Sequence, residues 1–294
     1  MNCELGESFA WCKSLARRTA GNFYFSFLTL PADQLRDMCV LYAFMRVTDD
    51  LGDDSEKSLE TRRSALGEWR QMIELALAGG PCHHEALPAL ADLVARHQIP
   101  HEYLQAVIDG VERDLDHEGF QTFEELQDYC YLVAGAVGLC CIHVWGSASD
   151  EAAPLAIDCG TAFQLTNILR DLGEDADAGR VYLPQEDLER FGYHRSDMIA
   201  RRRDERFEKL MRFEVDRARE FYARAEGLFP YLKPAGKSIY AAMLRIYGGL
   251  LDEIERRQFD VYSKRVRLPR WRKLWISLDA LVRYRWLKAS GATK

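Results

Sequence analysis

The stretch YAFMRVTDDLGDD, residues 42 to 54, sets a run of carboxylates inside apolar, helix-forming text. At about 100° per residue, Tyr42, Arg46, Asp49 and Asp53 fall within a sector of roughly 60°, with Asp50 just beside it. Leu41, Ala43, Phe44, Met45, Val47 and Leu51 take most of the remaining circumference, so the spacing predicts a helix with apolar neighbours on nearly every side. A surface helix would show a broad polar face instead. The arrangement recurs in QLTNILRDLGED, residues 164 to 175, where Gln164, Asn167, Asp171 and Asp175 step by three, four and four. They share a sector of about 80°, with Phe163, Leu165, Ile168, Leu169 and Leu172 pointing elsewhere and Arg170 and Glu174 as flanks.

Around these two stripes the chain reads as all-α. It has 294 residues, of which 48% are hydrophobic, enough to bury a large core. Period-2 alternation is scarce, and the segments rich in Leu, Ala, Glu and Arg keep helical spacing. Breaks are expected at GGPCHH (79–84), GSASDEAAP (146–154), ADAGRVYLP (176–184) and FPYLKPAGK (229–237). None is long enough to link domains and no repeat is present, so residues 1–294 are expected to form one helical domain.

Cysteine and charge usage narrow the class. Eight cysteines lie scattered through apolar text without CxxC pairs, which suggests reduced core residues of a cytoplasmic protein. The segment MNCELGESFAWCKSLARR carries acids where a secretory leader would be apolar, and no window is expected to approach the roughly 18 apolar residues of a membrane span. The seven histidines form no zinc spacing, and there is neither a GxGxxG nor a Walker loop. From residue 261 to 294 there are ten Lys or Arg against one acid, Asp279, a net of +9 in a chain of net −7. Trp271, Trp275 and Trp286 stand among these cations. This basic segment reads either as an interfacial membrane anchor or as a helix packed on the acidic body. No nucleic-acid motif accompanies it, and nucleic acid is not an expected partner.

The acid stripes have two readings. Each is the solvated face of an amphipathic helix, or the two face each other and hold divalent metal. Two narrow stripes favour the second, because burying several carboxylates costs several kcal/mol each unless cations compensate. Carboxylates one helical turn apart suit Mg²⁺, which keeps part of its water shell and shares phosphate oxygens.

These residues resemble the head-to-head prenyl synthases, the family of squalene, phytoene and presqualene diphosphate synthases. DDLGD (49–53) is similar to the first aspartate motif of that family and DLGED (171–175) to its second. NFYFSFLTLP (22–31) resembles the segment that closes over one diphosphate, DYCYLVAGAVG (128–138) the middle helix, GRVYLP (179–184) the loop after the second motif, and YGGLLDEIERRQFDV (247–261) the last core helix. The resemblance implies an α-helical isoprenoid synthase fold around a central cavity. It implies Mg²⁺, or Mn²⁺ in its place, bridging Asp49, Asp53, Asp171 and Asp175 to the leaving groups, with Asp50 and Asn167 as further candidate ligands. Arg46 and Arg170 would neutralise diphosphate, Gln164 and Asn167 would contact it, and Asn22, Phe23 and Tyr247 would join the substrate site. Tyr42 and Tyr129 would stabilise a carbocation through their ring faces. Where family members carry hydroxyls before the Phe, this chain reads TAGNF, leaving Thr19 and Asn22.

The small residues Ala134, Gly135, Ala136 and Gly138 serve close helix packing or a low cavity wall, and Phe23, Phe27, Phe44 and Phe163 are expected to line the tunnel. The implied reaction is formation of presqualene diphosphate from two farnesyl diphosphates, and of squalene if NADPH supplies hydride. The alternative is phytoene from two geranylgeranyl diphosphates. A non-catalytic assembly protein of the family would have lost the aspartates, which are intact here.

Overall fold

The computed structural model describes residues 4–54, 56–116, 118–146 and 149–289, apart from the side chains of residues 22 and 285–289. Among the described residues there are helices and turns but no strand. The chain runs through α1 (Leu5–Thr19), α2 (Gly21–Phe27), α3 (Ala32–Asp53), α4 (Leu59–Leu77), α5 (Leu87–His97) and α6 (His101–Leu115). It continues as α7 (Phe123–Cys130), a π-helical turn (Tyr131–Gly135), α8 (Ala136–Trp145) and α9 (Ala152–Asp177). After the short α10 (Gln185–Arg190) and α11 (Arg195–Ile199) come α12 (Glu205–Ala225), a 3₁₀ turn (Glu226–Tyr231), α13 (Pro234–Arg256) and α14 (Arg270–Ala289).

The two acid stripes occupy the C-terminal ends of α3 and α9, and both helices are central. α3 starts after Pro31, with Asp33 in its first turn, where a negative charge suits the positive end of the helix dipole. It buries every residue from Asp37 to Phe44, because α1, α4, α5, α6 and α8 surround it. α9 is enclosed by α12, α8, α13, α7 and the π turn. Side-chain caps fix where several outer helices begin: Ser58 accepts from the Thr61 amide at 3.2 Å, and Asp204 from the amides of Arg206 and Phe207 at 3.0 and 3.1 Å. One continuous apolar core joins side chains from α1 to Ile276 of α14.

The expectation that no window approaches a membrane span needs correction. Phe123–Trp145 is long and apolar enough by composition, because α7, the π turn and α8 run on as one helical rod. More than half of that window is buried, packed against α9, α6 and α3, so its apolarity serves the core. Where this rod crosses α9, a Cβ on Gly138 would stand 2.7 Å from the Ala156 carbonyl oxygen. Close packing therefore requires the small residue. The described cysteines are free thiols, and burial pushes Cys140 and Cys159 up to about 12; Cys3 lies outside the described residues.

The basic segment ends in α14, which packs on α13 and α2. Ile276, Ser277 and Ala280 are buried, the Tyr284 ring stacks on Phe229 at 6.0 Å, and Arg245 of α13 pairs with Asp279.

Candidate active site

A cavity of about 510 Å³ opens between α3, α6, the π turn, α8, α9 and α13. Its mouth is polar and its depth apolar. α3 contributes Asp49 and Asp53 to the mouth, and α9 contributes Gln164, Asn167, Arg170 and Asp171. Phe23 and Phe27 of α2, Tyr42, and Phe163 of α9 form the walls below, and Trp145, Tyr240 and Met243 lie among the deeper lining. The helical register that made each stripe one-sided turns Tyr42, Asp49 and Asp53 of the first and Gln164, Asn167 and Asp171 of the second toward the same space, while Asp175 is not part of its lining.

The electrostatics of the mouth follow from crowding. Protein surrounds Asp49 even though water reaches it across the opening. Desolvation and the neighbouring Asp53 carboxylate push its pKa from 3.8 up to about 7. Asp175 is likewise pushed up to about 7 by burial and by Asp171, against the pull of Arg180. Negative charge at this end is thus under-compensated. Asp171 is the exception. It accepts from Arg170 Nε at 2.7 Å, and Arg265 grips it with two hydrogen bonds of 3.0 and 2.9 Å.

The other predicted residues are placed as follows. Tyr247 is buried, stacks on Phe163 with ring centroids 4.4 Å apart, and hydrogen-bonds Arg170. Tyr129 donates to Asp114 at 2.7 Å. Arg46 and Asp50 pair with each other on an exposed flank, and neither is part of the cavity lining. Phe44 does not line the tunnel as expected: it is fully buried in the core, about 200° around α3 from Tyr42. The Thr19 hydroxyl donates to the Leu15 carbonyl at 2.9 Å, and the side chain of Asn22 lies outside the described residues. Ala134 and Gly138 both border the cavity, so the small residues of this rod serve its wall as well as its packing.

Four residues escaped the sequence reading. Asp114 of α6 is a fifth acid at the mouth and accepts from both Tyr129 and Tyr182, the latter at 3.1 Å. Burial beside that carboxylate pushes both phenols up, which keeps them neutral. Arg180 shares with Asp49, Asp53 and Asp114 a recess of about 50 Å³, and Arg265 clasps Asp171. The signal for Asp114 was available: it stands seven residues after Val107 and three after Val111, an acid on the apolar face of α6. Gly52, inside DDLGD, lets α3 approach α6 here, since a Cβ would collide with Val111.

The donors fit a hard divalent cation. The mouth offers aspartate oxygens and the buried Asn167 Oδ1, which has no hydrogen-bond partner, and no thiolate or imidazole. Among the described residues no three His, Cys, Asp or Glu side chains close around one point. An ion held at Asp49, Asp53, Asp171 and Asp175 would thus complete its shell with water and substrate oxygens.

A helical shell around an apolar cavity with acids and arginines at its mouth defines an enzyme that works on a molecule with a charged head and a long apolar tail. The comparisons agree. The chain belongs to the squalene/phytoene synthase family, whose model matches residues 16–272, and it is a prenyltransferase of that all-α fold. It is 36% identical over 281 residues to a phytoene synthase of Arthrospira platensis, covering 91% of this chain and 90% of that one. A 15-cis-phytoene synthase of Synechococcus elongatus is 36% identical over 282 residues, covering 92% and 91%. Among solved structures, a dehydrosqualene synthase in complex with ligand superposes with a TM-score of 0.85 at 25% identity, covering 97% of this chain and 98% of that one. Squalene synthase HpnC from Alicyclobacillus acidocaldarius gives 0.81 at 30%, covering 87% and 95%.

Proposed function

We propose that this enzyme joins two geranylgeranyl diphosphates head to head into phytoene. The supporting observation is the 36% identity, over nine-tenths of the chain, to proteins named phytoene synthase. It reverses the order of preference drawn from the sequence, which put farnesyl diphosphate first. Phytoene and farnesyl-derived synthases share the motif residues of the mouth, so those residues carry no information about tail length.

Bound Mg²⁺ would supply positive charge to the departing diphosphate. The chain's own cations Arg170, Arg180 and Arg265 stand at the same mouth and hold fixed charge where the leaving group gathers its own. Arg46 reaches a diphosphate only by releasing Asp50. Phe23, Phe163 and Tyr42 wall the reacting carbons away from water and present ring faces to the allylic cation. Tyr129, held by Asp114 as a neutral phenol, resists alkylation better than a phenolate. The double bond of the second substrate attacks the cation, and a proton passes to the released diphosphate as the cyclopropyl ring closes. Ionisation of the resulting cyclopropylcarbinyl diphosphate expels the second diphosphate, the ring opens as the two head carbons become joined, and loss of a second proton gives phytoene, so this outcome needs no hydride donor.

A second reading, presqualene diphosphate or squalene from two farnesyl diphosphates with NADPH for the second product, is favoured by the 0.81 superposition on HpnC at 30% identity. One assay separates the two. The protein is incubated with Mg²⁺ and either diphosphate, with and without NADPH, and the extracted products are identified. A C40 product from geranylgeranyl diphosphate without NADPH is the expected result. Exclusive turnover of farnesyl diphosphate establishes the second reading, and consumption of neither overturns the enzymatic assignment.

A further inference from the structure

We infer that α14 seats the enzyme on a bilayer surface bearing anionic headgroups. Among the described residues, half of the large apolar side chains that stand exposed are on this one helix: Trp271, Leu274, Trp275, Leu278 and Val282. At 71%, 55% and 57% exposure, Trp271, Trp275 and Leu278 are far more open than is usual for their types. At about 100° per residue the five fall within a sector of roughly 100°. Ile276, Ser277 and Ala280 lie on the opposite side and are buried. The helix already spends one face on α13 and α2, so the stripe is not its core face. A contiguous apolar stripe left in water marks a docking surface.

Charge identifies the occupant. Lys264, Arg267 and Arg270 are exposed and have no carboxylate partner among the described residues, in a segment of net +9 on a chain whose remainder is −16. Arg245 lays its guanidinium over Trp275 at 5.5 Å, placing a cation at the rim of the stripe. Tryptophan and leucine between arginines match the boundary between acyl chains and anionic headgroups. With these cations at and just before its N-terminal end and Arg245 at its rim, α14 would lie in that plane rather than cross it. The position is also apt: α2 and α13, on which α14 packs, supply Phe23, Phe27, Tyr240 and Met243 to the cavity wall.

The test is co-sedimentation of the full chain with extruded vesicles of phosphatidylcholine alone or with about a quarter phosphatidylglycerol, at low salt and at about 0.5 M NaCl. Binding to the anionic vesicles is expected to be at least about tenfold tighter, to weaken at high salt, and to shift tryptophan emission to the blue. The Trp271→Glu/Trp275→Glu/Leu278→Glu variant is expected to lose about tenfold or more on the same vesicles while keeping its circular dichroism and its turnover of detergent-dispersed substrate. Arg267→Gln/Arg270→Gln, which leaves the stripe intact, is expected to lose the preference for anionic lipid. The inference is overturned if the wild type stays in the supernatant with both vesicles or if the glutamate variant binds equally well. It is also overturned if light scattering shows a dimer that this variant dissociates, since the stripe would then seat a second copy of the chain.

Discussion

α3 carries acids at both ends of its buried length, and the two ends are solved in opposite ways. Asp37 is 2% exposed. It accepts from Arg96 at 2.7 and 2.9 Å and from His97 at 2.8 Å. Burial pushes its carboxyl up, but the hydrogen bonds from Arg96 and His97 outweigh that and hold it below the usual range. Asp49, about three turns further on, has no donor among the described residues, and burial and Asp53 push it up to about 7. A buried acid with its own cation is a structural joint, here between α3 and α5. An acid crowded by other acids without a cation of its own, as Asp49 is by Asp53, keeps its negative charge under-compensated.

The comparison breaks most visibly through activity. Asp49→Asn or Asp171→Asn is expected to lower kcat/KM by about 10²–10³-fold, the range found when one charge-stabilising group is removed. Thermal unfolding in chelator should show stability kept or raised in Asp49→Asn, because a repelling charge is gone, and lowered in Asp171→Asn, which takes the carboxylate partner from Arg170 and Arg265. Asp37→Asn is the converse. It leaves Arg96 without its buried partner and is expected to cost about 2 kcal/mol in denaturant unfolding, Arg96 being partly exposed, with turnover of the folded fraction unchanged.

The smallest effect is the pH slope in chelator. With folded pKa values raised to about 7, Asp49 and Asp175 hold more protons folded than unfolded between 3.8 and about 7. Their contribution therefore falls as pH rises through that window. Asp37, lowered from 3.8, contributes stability that is present above 3.8 and lost as pH falls further. A thermal midpoint followed from pH 4 to 8 should flatten in Asp49→Asn/Asp175→Asn and keep its slope in Asp37→Asn.

Much of this was legible in the sequence because helices are periodic. The stripes at 42–53 and 164–175 announced two buried helices with one polar line each, and the structure turns most of both lines to one cavity, leaving Arg46 and Asp175 outside its lining. Periodicity also gave the limits. Phe44 shares a helix with Tyr42 but faces the core, and proximity in sequence hid that opposition. Arg265 and Arg180 come from loops, where no period marks which side chain turns inward. Asp114 was a single acid on an apolar face, a pattern of one. Phe123–Trp145 passed as ordinary helical text because composition alone cannot separate a core rod from a span.

The π turn at Tyr131–Gly135 sits in the middle of that rod. A π turn carries about one residue more than an α turn, so everything ahead of it is rotated by about 100° relative to an uninterrupted α-helix. Tyr129, which reaches Asp114, and Gly138, which meets α9, therefore keep their bearings only while the count of residues between them is held. This makes the rod intolerant of changes in length whatever residues fill the turn. Deleting one residue between 131 and 135 would restore a plain helix and swing the phenol away from its carboxylate with no side chain at either end altered.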